Sequence, residues 1–513
     1  MNHVAGPLLA MFAISAAGAP IFDPVVVTQT GPVMGAPGKN GTVRVYKGIP
    51  YAAPPVGALR WKEPQPVAPW KAVRAATEFG QSCPQALYGE TSPYYQPAFP
   101  RGEDCLYLNV WTAAVSASEK RPVMVWIHGG GYTRGSGATP TYNGELLASK
   151  GAVVVTINYR LGALGFFAHP ELTKESPHHA SGNYGLLDAV AALQWVQKNI
   201  AKFGGDPKRV TIFGESAGSS AVNFLVASPL AKGLIHRAIG ESGANFGRKV
   251  SLAEAEKAGA AAGDLAALRA KPVDEVLKTA GTRPCVDGYF LTDDVAAVFA
   301  AGKQNDVPTI AGYNEDESRA LAPLPRNATG EGVREQLKTR YGKVFDEFTK
   351  LYPVGSDTAA FDAYYNSTRD AGMGLQMRTW VREQRKTGRS AAYLYYFTRT
   401  PPGKNSDILR AYHAAEIAYV FGNLSAARPW QDTDRKLSDA MSSYWMNFAA
   451  TGNPNGKGLA KWPSFDAADD ESMVFGDTIE VKKAVNKAGL DFFDRHSTPA
   501  AEASPRPSGR RER

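Results

Sequence analysis

Three short apolar runs constrain the fold of this 513-residue chain most strongly. Residues 123–128 and 152–157 are apolar at almost every position, and residues 210–213 form a shorter run of the same kind. A strand that is apolar on both faces is typical of a parallel sheet buried between layers of helices. Between the second and third runs, residues 183–202 carry apolar side chains at helical spacing. Strands that alternate with helices predict an α/β protein with a central, mostly parallel sheet.

Other segments extend this layered arrangement. Residues 25–30 and 43–47 are β-branched runs around a Gly- and Pro-rich turn, which predicts a small hairpin. Residues 248–370 are rich in Ala, Lys and Glu, so we expect helical excursions over the sheet, partly as a cap or lid above an active site. Further elements of regular structure are predicted as strands at residues 106–112, 309–312 and 391–397 and as a helix at residues 434–450.

The two ends of the chain differ from its body. Residues 1–19 contain an apolar stretch followed by small residues, as in a secretory signal peptide, although the first residues lack Lys and Arg. Residues 499–513 are too polar to bury a core and are expected to form a disordered basic tail. We therefore expect one domain over residues 20–498 of a secreted or periplasmic protein.

Charge and hydropathy exclude two classes of partner. No apolar run reaches the length of about 20 residues that a membrane-spanning helix requires. The formal net charge is +8, but part of it lies in the tail and the rest is diffuse. A nucleic-acid partner is therefore not expected.

The chain has three cysteines, Cys83, Cys105 and Cys285. In an exported protein an odd count implies one pair and one leftover thiol. The near pair, Cys83 and Cys105, would close a short loop. The alternative is three buried, reduced cysteines.

The Gly-Glu-Ser-Ala-Gly sequence at residues 214–218 follows the third apolar run directly. Such a turn lets the backbone reverse sharply between a strand and a helix, because its two glycines avoid clashes, and it leaves Ser216 exposed at the apex. The motif alone is weak in a chain with 51 glycines, and a surface turn is the alternative. The strand before it and the helical stretch after it favour Ser216 as a nucleophile.

A nucleophilic serine needs donors for the oxyanion that its attack creates. The His-Gly-Gly-Gly sequence at residues 128–131 ends the first apolar run, and such loops bring bare backbone N–H groups near a substrate carbonyl. The amides of Gly130, Gly131 and Ala217 are the expected donors. A flexible glycine turn is the alternative, and the order of the two motifs argues against it.

The serine also needs a base and a carboxylate. Of the eight histidines, His413 is favoured because it lies late in the chain, and a turn of this type is followed in order by the acid and then the His. Glu317 is the candidate for the carboxylate that orients the imidazole. Glu315 and Asp316 are rivals that spacing does not separate, and a solvated acidic turn is the alternative for all three.

The chain resembles the type-B carboxylesterase family, also called the carboxylesterase/cholinesterase family, over nearly its whole length. Several motifs carry this resemblance in the right order. They are Gly-Ile-Pro-Tyr-Ala at 48–52, Glu-Asp-Cys-Leu-Tyr-Leu-Asn-Val at 103–110, Asn-Tyr-Arg-Leu-Gly at 158–162, Phe-Gly-Gly-Asp-Pro at 203–207 and Thr-Gly-Asn-Pro-Asn at 451–455. The resemblance implies the α/β-hydrolase fold.

The resemblance also implies roles for particular residues. The acidic member of the family's triad matches Glu317, and its His matches His413. The family's first disulfide matches Cys83 and Cys105, which leaves Cys285 as a free, buried thiol.

Departures from the family bear on the substrate. The loop at residues 84–104 has no Trp to hold a quaternary ammonium, so a choline ester is not expected. Tyr132 replaces the usual Phe after the three glycines, and Glu241 precedes Ser242 where Gln is usual. Tyr132 and Ser242 are candidates for substrate contacts. The resemblance also implies that Ser242 hydrogen-bonds near the triad, with a helix or loop Ser of no role as the alternative.

Arginines near these segments give a second substrate hypothesis. Arg134 and Arg248 can make the rim of the pocket cationic, which would favour bulky esters that carry carboxylates. Solvated surface arginines are the alternative.

Together these features predict a serine carboxylesterase that hydrolyses small-molecule esters through an acyl-enzyme. No metal or cofactor is implied. The alternatives are an amide or carbamate hydrolase and a non-catalytic binding protein on the same fold.

Overall fold

The computed structural model describes residues 24–39, 41–96, 99–247, 249–279, 281 and 283–496. The predicted signal peptide (1–19), the predicted tail (499–513) and Arg248 lie outside the described residues.

The strands of the described residues form two sheets. In chain order they are β1 (Val25–Val27), β2 (Pro32–Met34), β3 (Ala36–Pro37), β4 (Arg44–Pro50), β5 (Arg74–Ala75), β6 (Tyr107–Thr112), β7 (Arg121–Ile127), β8 (Val153–Ile157), β9 (Gly205–Glu215), β10 (Arg237–Glu241), β11 (Thr309–Asn314), β12 (Ala392–Phe397), β13 (Glu471–Phe475) and β14 (Ile479–Lys483). The small sheet has the order β1-β2-β5, and the large, eleven-stranded sheet has the order β14-β13-β12-β11-β10-β9-β7-β8-β6-β4-β3.

The large sheet is parallel in its centre and antiparallel at its edges. Strands β8, β7, β9, β10, β11, β12 and β13 run parallel to their neighbours in that order. The remaining edge strands pair antiparallel. The carboxyl ends of the central strands therefore meet at one edge of the sheet, where ligands of α/β proteins bind.

Helices cover the sheet. In chain order they are α1 (Glu145–Ser149), α2 (Gly162–Phe166), α3 (Pro170–Glu175), α4 (Tyr184–Asn199), α5 (Ala217–Ala227), α6 (Leu252–Ala260), α7 (Leu265–Ala270), α8 (Val273–Val276), α9 (Val295–Ala300), α10 (Glu317–Leu321), α11 (Gly330–Tyr341), α12 (Phe345–Leu351), α13 (Asp357–Arg369), α14 (Leu375–Thr387), α15 (Ser406–Leu409), α16 (Ile417–Phe421), α17 (Asp432–Thr451) and α18 (Lys487–His496). A π-helical turn, Asp370–Gly374, joins α13 to α14.

Alternate residues of one strand belong to two hydrophobic clusters, which shows that the sheet is covered on both faces. Val153 and Val155 of β8 pack with residues of α4 and α5, whereas Val154 packs with residues of α16 and α17. All five residues of β8 are buried. The apolar runs thus reflect burial on both faces, and the predicted α/β arrangement with a mostly parallel sheet is confirmed.

The predicted hairpin at the start of the chain is wrong. Residues 25–27 pair with residues 32–34, because Thr28 and Gly31 close a tighter turn with the Thr28 N–H donating to the Gly31 carbonyl at 3.0 Å. Residues 44–50 instead join the large sheet between β6 and β3. A β-branched run identifies a strand but not its partner.

The predicted disulfide between Cys83 and Cys105 is confirmed. Cys285 is free and buried, and its thiol donates to the Ser181 carbonyl. None of the helices within the described ranges is long and apolar enough to cross a bilayer.

Candidate active site

Ser216 lies at the turn between β9 and α5 in a backbone conformation that is rare for a side-chain-bearing residue. Its φ is 58° and its ψ is −122°. Both flanking glycines are required, since a Cβ on Gly218 would lie 1.9 Å, and one on Gly214 2.5 Å, from the Ile127 carbonyl oxygen. The end of β7 therefore presses against the turn, which holds Ser216 at its apex. Strained backbone of this kind is concentrated at functional sites.

The glycine loop that follows β7 lies against this turn. A Cβ on Gly129 would lie 3.0 Å from the Cβ of Ser216. Gly130 (φ 104°) and Gly131 (φ 63°) adopt left-handed backbone that favours glycine. The Gly130 carbonyl accepts the N–H groups of Thr133 and Arg134, both at 3.1 Å.

Three backbone N–H groups are left without a partner here. Within the described residues the amides of Gly130, Gly131 and Ala217 donate no hydrogen bond. Ala217 is the first residue of α5, so its N–H is one of those that a helix start leaves unsatisfied. Free N–H groups beside a serine can stabilise a negatively charged oxygen.

His413 and Glu317 form a buried pair. Nδ1 of His413 lies 2.5 Å from Oε2 of Glu317, and both side chains are almost fully buried. The other carboxylate oxygen of Glu317 accepts the Ser242 hydroxyl at 2.5 Å and the Asn314 N–H at 2.8 Å. The carboxylate is therefore held from two sides and fixes the orientation of the imidazole.

The three acidic candidates occupy different places. Asp316 forms an ion pair with Arg319 at 2.7 Å, and it accepts the Ala411 N–H. Glu315 is one of the residues that line a separate cavity, with Arg399 and Asp477. Within the described residues, Glu317 is the one of the three that contacts His413.

Nε2 of His413 is the ring nitrogen that does not contact Glu317, and Oε1 of Glu215 lies 3.0 Å from it. Nε2 has no aligned hydrogen-bond partner within the described residues, Ser216 included. Ser216 and His413 nevertheless line the same cavity. Hydrogen bonds of this kind are often long before a substrate binds, so the open geometry leaves Nε2 available.

Glu215 is a neighbour of His413 to which the sequence analysis gave no role. Its Oε1 lies 3.0 Å from Nε2 of His413, without the alignment of a hydrogen bond. Burial lowers the pKa of His413, but the nearby carboxylates of Glu215 and Glu317 outweigh it, and the pKa is raised well above its usual range. The place of Glu215 in the motif beside Ser216 is the signal that could have identified it.

Two further carboxyl groups lie behind this pair. Burial and the carboxylates of Glu215 and Glu317 raise the pKa of Glu416 to about 8, so this group is protonated at neutral pH. The pKa of Glu241 is raised by burial and by Glu416. Trp445 Nε1 donates to Glu241 at 2.8 Å, and Asn314 donates to Glu416. Raised pKa values of this kind disfavour further negative charge behind His413.

Of the three residues expected to contact the substrate, the structure places one at the cavity and two in the interior. Arg134 lines the cavity. The prediction for Tyr132 is not supported, because its φ of 61° turns the ring inward against Phe166 and the ring does not line the cavity. Ser242 is fully buried and contacts Glu317. The structure thus places Ser242 in the hydrogen bond near His413 and Glu317 that the resemblance implied, and away from the cavity surface.

The cavity that contains Ser216 and His413 has a volume of about 1320 Å³. Its walls include the glycine loop, residues of the disulfide loop such as Tyr88 and Tyr94, and Ala320 and Leu321 of α10. Cavities for small molecules measure about 300–1,000 Å³, so this one has room for a large ligand. Among the described residues no group of His, Cys, Asp and Glu side chains could hold a metal ion.

Comparisons with known proteins identify the family of the chain. The model of the carboxylesterase family matches residues 22–493. The chain is 39% identical to fumonisin B1 esterase of Sphingopyxis macrogoltabida (89% of this chain, 87% of the relative) and 35% identical to liver carboxylesterase of Sus scrofa (96% of each). A solved structure of a PNB esterase is similar with a TM-score of 0.77 and 31% identity, covering 91% of this chain and 99% of that one. The chain therefore belongs to the carboxylesterase family and is a carboxylic ester hydrolase with the α/β-hydrolase fold.

Proposed function

We propose that Ser216, His413 and Glu317 hydrolyse carboxylic esters as a catalytic triad through an acyl-enzyme. The observation that carries this proposal is the buried Glu317–His413 contact, made by a histidine that lines the same cavity as Ser216. A carboxylate on one ring nitrogen leaves the other nitrogen as the base.

In the first step His413 Nε2 takes the Ser216 proton as Oγ attacks the ester carbonyl. The negative charge on the carbonyl oxygen is stabilised by the amides of Gly130, Gly131 and Ala217, which need no reorganisation because they are already unpaired. The C–O bond to the alcohol then breaks, and the alcohol leaves with the proton from His413.

In the second step water replaces the alcohol. His413 takes a proton from the water, which attacks the acyl carbon, and the bond to Ser216 Oγ breaks as His413 returns a proton to Oγ. The Glu317 carboxylate stabilises the imidazolium that forms twice in each cycle.

The substrate that we propose is a bulky small-molecule ester. The cavity volume of about 1320 Å³ supports a large acyl or alcohol group. Two relatives, fumonisin B1 esterase and the human cocaine esterase (34% identical, 92% of this chain and 91% of the relative), are named after large substrates. The Cys83–Cys105 disulfide supports a secreted or periplasmic location. Amide or carbamate hydrolysis uses the same groups and is the second candidate.

Covalent labelling tests the nucleophile directly. An organophosphonate with a fluorescent tag is expected to label the chain once, and peptide mass spectrometry is expected to place the adduct on Ser216. Labelling carried out at pH 4.5 is expected to be slower, because protonated His413 cannot accept the proton. An adduct on another residue, or no adduct, would favour a binding protein over a hydrolase.

The acid limb of the pH profile reports the His413 pKa. Since that pKa is raised and the neutral imidazole is the active form, kcat/KM is expected to fall at a pH above the usual His value of about 6.5. The Glu215→Gln variant removes a negative charge 3.0 Å from Nε2, so the midpoint should move to lower pH. The control is Glu145→Gln, which changes another carboxylate that lines the cavity. A midpoint that stays in place or rises in Glu215→Gln contradicts the assignment.

A further inference from the structure

The cavity at Ser216 is lined by more cations than its carboxylates can neutralise. Arg134, Arg428, Lys39 and Lys47 all line it. None of the four forms an ion pair within the described residues, whereas most other buried or half-buried arginines are paired, as Arg160 is with Asp188. The carboxylates that line the cavity are Glu145 and Glu215, and Glu215 lies against His413.

Arg134 follows the glycine loop in the chain, and its side chain is held in place by two contacts. Its guanidinium lies 4.8 Å from the centre of the Tyr88 ring, and its Nε donates to the Ala86 carbonyl at 3.1 Å. The side chain is half-buried. A guanidinium has five N–H donors, so these contacts fix the group and leave donors for a ligand.

Arg428 is held on the side of the cavity that carries His413. It donates to the Tyr412 hydroxyl at 3.2 Å and to the Pro402 carbonyl at 3.3 Å. Its guanidinium also lies 5.9 Å from the Tyr412 ring and 6.0 Å from the Trp430 ring. Neutral partners position this side chain without cancelling its charge.

A row of tyrosine rings connects the two arginines. Tyr88 lies 5.5 Å from Tyr94, and Tyr94 lies 6.5 Å from Tyr412. Tyr94 also meets the His413 ring edge-on at 6.4 Å. Its hydroxyl is buried and has no hydrogen-bond partner within the described residues. We call Tyr88, Tyr94 and Tyr412 the tyrosine row. It passes beside His413, and at each of its ends lies a guanidinium group that forms no ion pair within the described residues.

We propose that Arg134 and Arg428 bind carboxylate groups of the substrate, so that the enzyme prefers esters that carry negative charge on both sides of the scissile bond. Planar guanidinium groups suit carboxylates because they donate two parallel hydrogen bonds. The tyrosine row supplies flat, apolar contact area between the two charges, and its unpaired Tyr94 hydroxyl can donate to the substrate. This inference rests on the proposed role of Ser216, since it concerns the ester bound there.

Four esters of matched size separate the effects of charge. Phenyl hexanoate is neutral, the adipic acid monophenyl ester carries a carboxylate on the acyl side, 4-carboxyphenyl hexanoate carries one on the alcohol side, and the adipic acid mono(4-carboxyphenyl) ester carries both. We expect the wild-type kcat/KM, corrected for leaving-group reactivity with a base-hydrolysis series, to be highest for the doubly charged ester. Added salt should lower this preference, because it screens the attraction.

The variants Arg134→Gln and Arg428→Gln remove the charge and keep a polar, though shorter, side chain. Each is expected to lower kcat/KM on the doubly charged ester by about tenfold or more, and to leave phenyl hexanoate within about twofold, because a charge-assisted hydrogen bond is lost. Arg340→Gln, in α11 and outside the cavity, is the control for the change in net charge. Equal losses on all four esters, or a wild-type preference for the neutral ester, would overturn the proposal. If the wild type hydrolyses none of the four, the proposed function fails instead.

Discussion

Replacing Ser216 by Ala is expected to lower kcat for 4-nitrophenyl acetate by about 10⁶-fold. The substitution removes the atom that forms the acyl-enzyme, and within the described residues no other hydroxyl occupies the apex of a strained turn beside three unpaired amides. A small residual rate is expected because the amides of Gly130 and Gly131 can still polarise a bound ester.

The same variant is expected to melt at nearly the wild-type temperature. Ala retains the Cβ of Ser216 and meets the same backbone strain at φ 58°, and the Ser216 N–H still donates to the Glu241 carbonyl. Ser220→Ala, one turn along α5, is the matched control and should keep most of the activity. Activity of purified Ser216→Ala above about one-hundredth of the wild-type value, with no label from the phosphonate, would mean that another residue attacks the ester.

The parts of the site that the sequence predicted are those that local backbone geometry determines. The glycines at 214 and 218 are required by the approach of β7, and those at 130 and 131 by left-handed backbone. Such requirements leave a sequence signature within a few residues, so the motifs could be recognised without a structure.

The parts that it did not predict depend on contacts between distant segments. The resemblance implied a hydrogen bond of Ser242 near the triad, but it did not name Glu317 as the acceptor, and no spacing rule connects two residues that are 75 positions apart. Arg428 follows His413 by a short stretch, but the sequence does not show whether its guanidinium meets a carboxylate or, as observed, the Tyr412 hydroxyl. The direction of Tyr132 was missed because one positive φ turns its side chain from the cavity into the core.

The position of Glu317 leads to the second large effect that we expect, for Glu317→Gln. The carboxylate oxygen Oε1 accepts two hydrogen bonds, from the Ser242 hydroxyl and the Asn314 N–H. In the variant, the amide oxygen of Gln must take this side because both groups donate. The amide nitrogen then faces Nδ1 of His413 and donates to it.

A donor at Nδ1 places the ring proton on Nε2, which is the nitrogen that must accept the proton of Ser216. This wrong tautomer, together with loss of the charge that stabilises the imidazolium, is expected to lower kcat by about 10⁴-fold. KM should change little, because Glu317 does not line the cavity.

Ser242→Ala separates this tautomer effect from simple disturbance of a buried site. It removes one donor to Glu317 and leaves both the charge and the Asn314 contact, so kcat should fall by only about tenfold to a hundredfold. In the double variant Glu317→Gln/Ser242→Ala one of the two donors that orient the Gln amide is gone. The amide can then turn its oxygen toward His413 more often, and part of the lost activity should return. Steady-state kinetics with melting temperatures for the three variants measure this. If Glu317→Gln loses no more activity than Ser242→Ala, the carboxylate does not control the imidazole, and the role given to Glu317 is wrong.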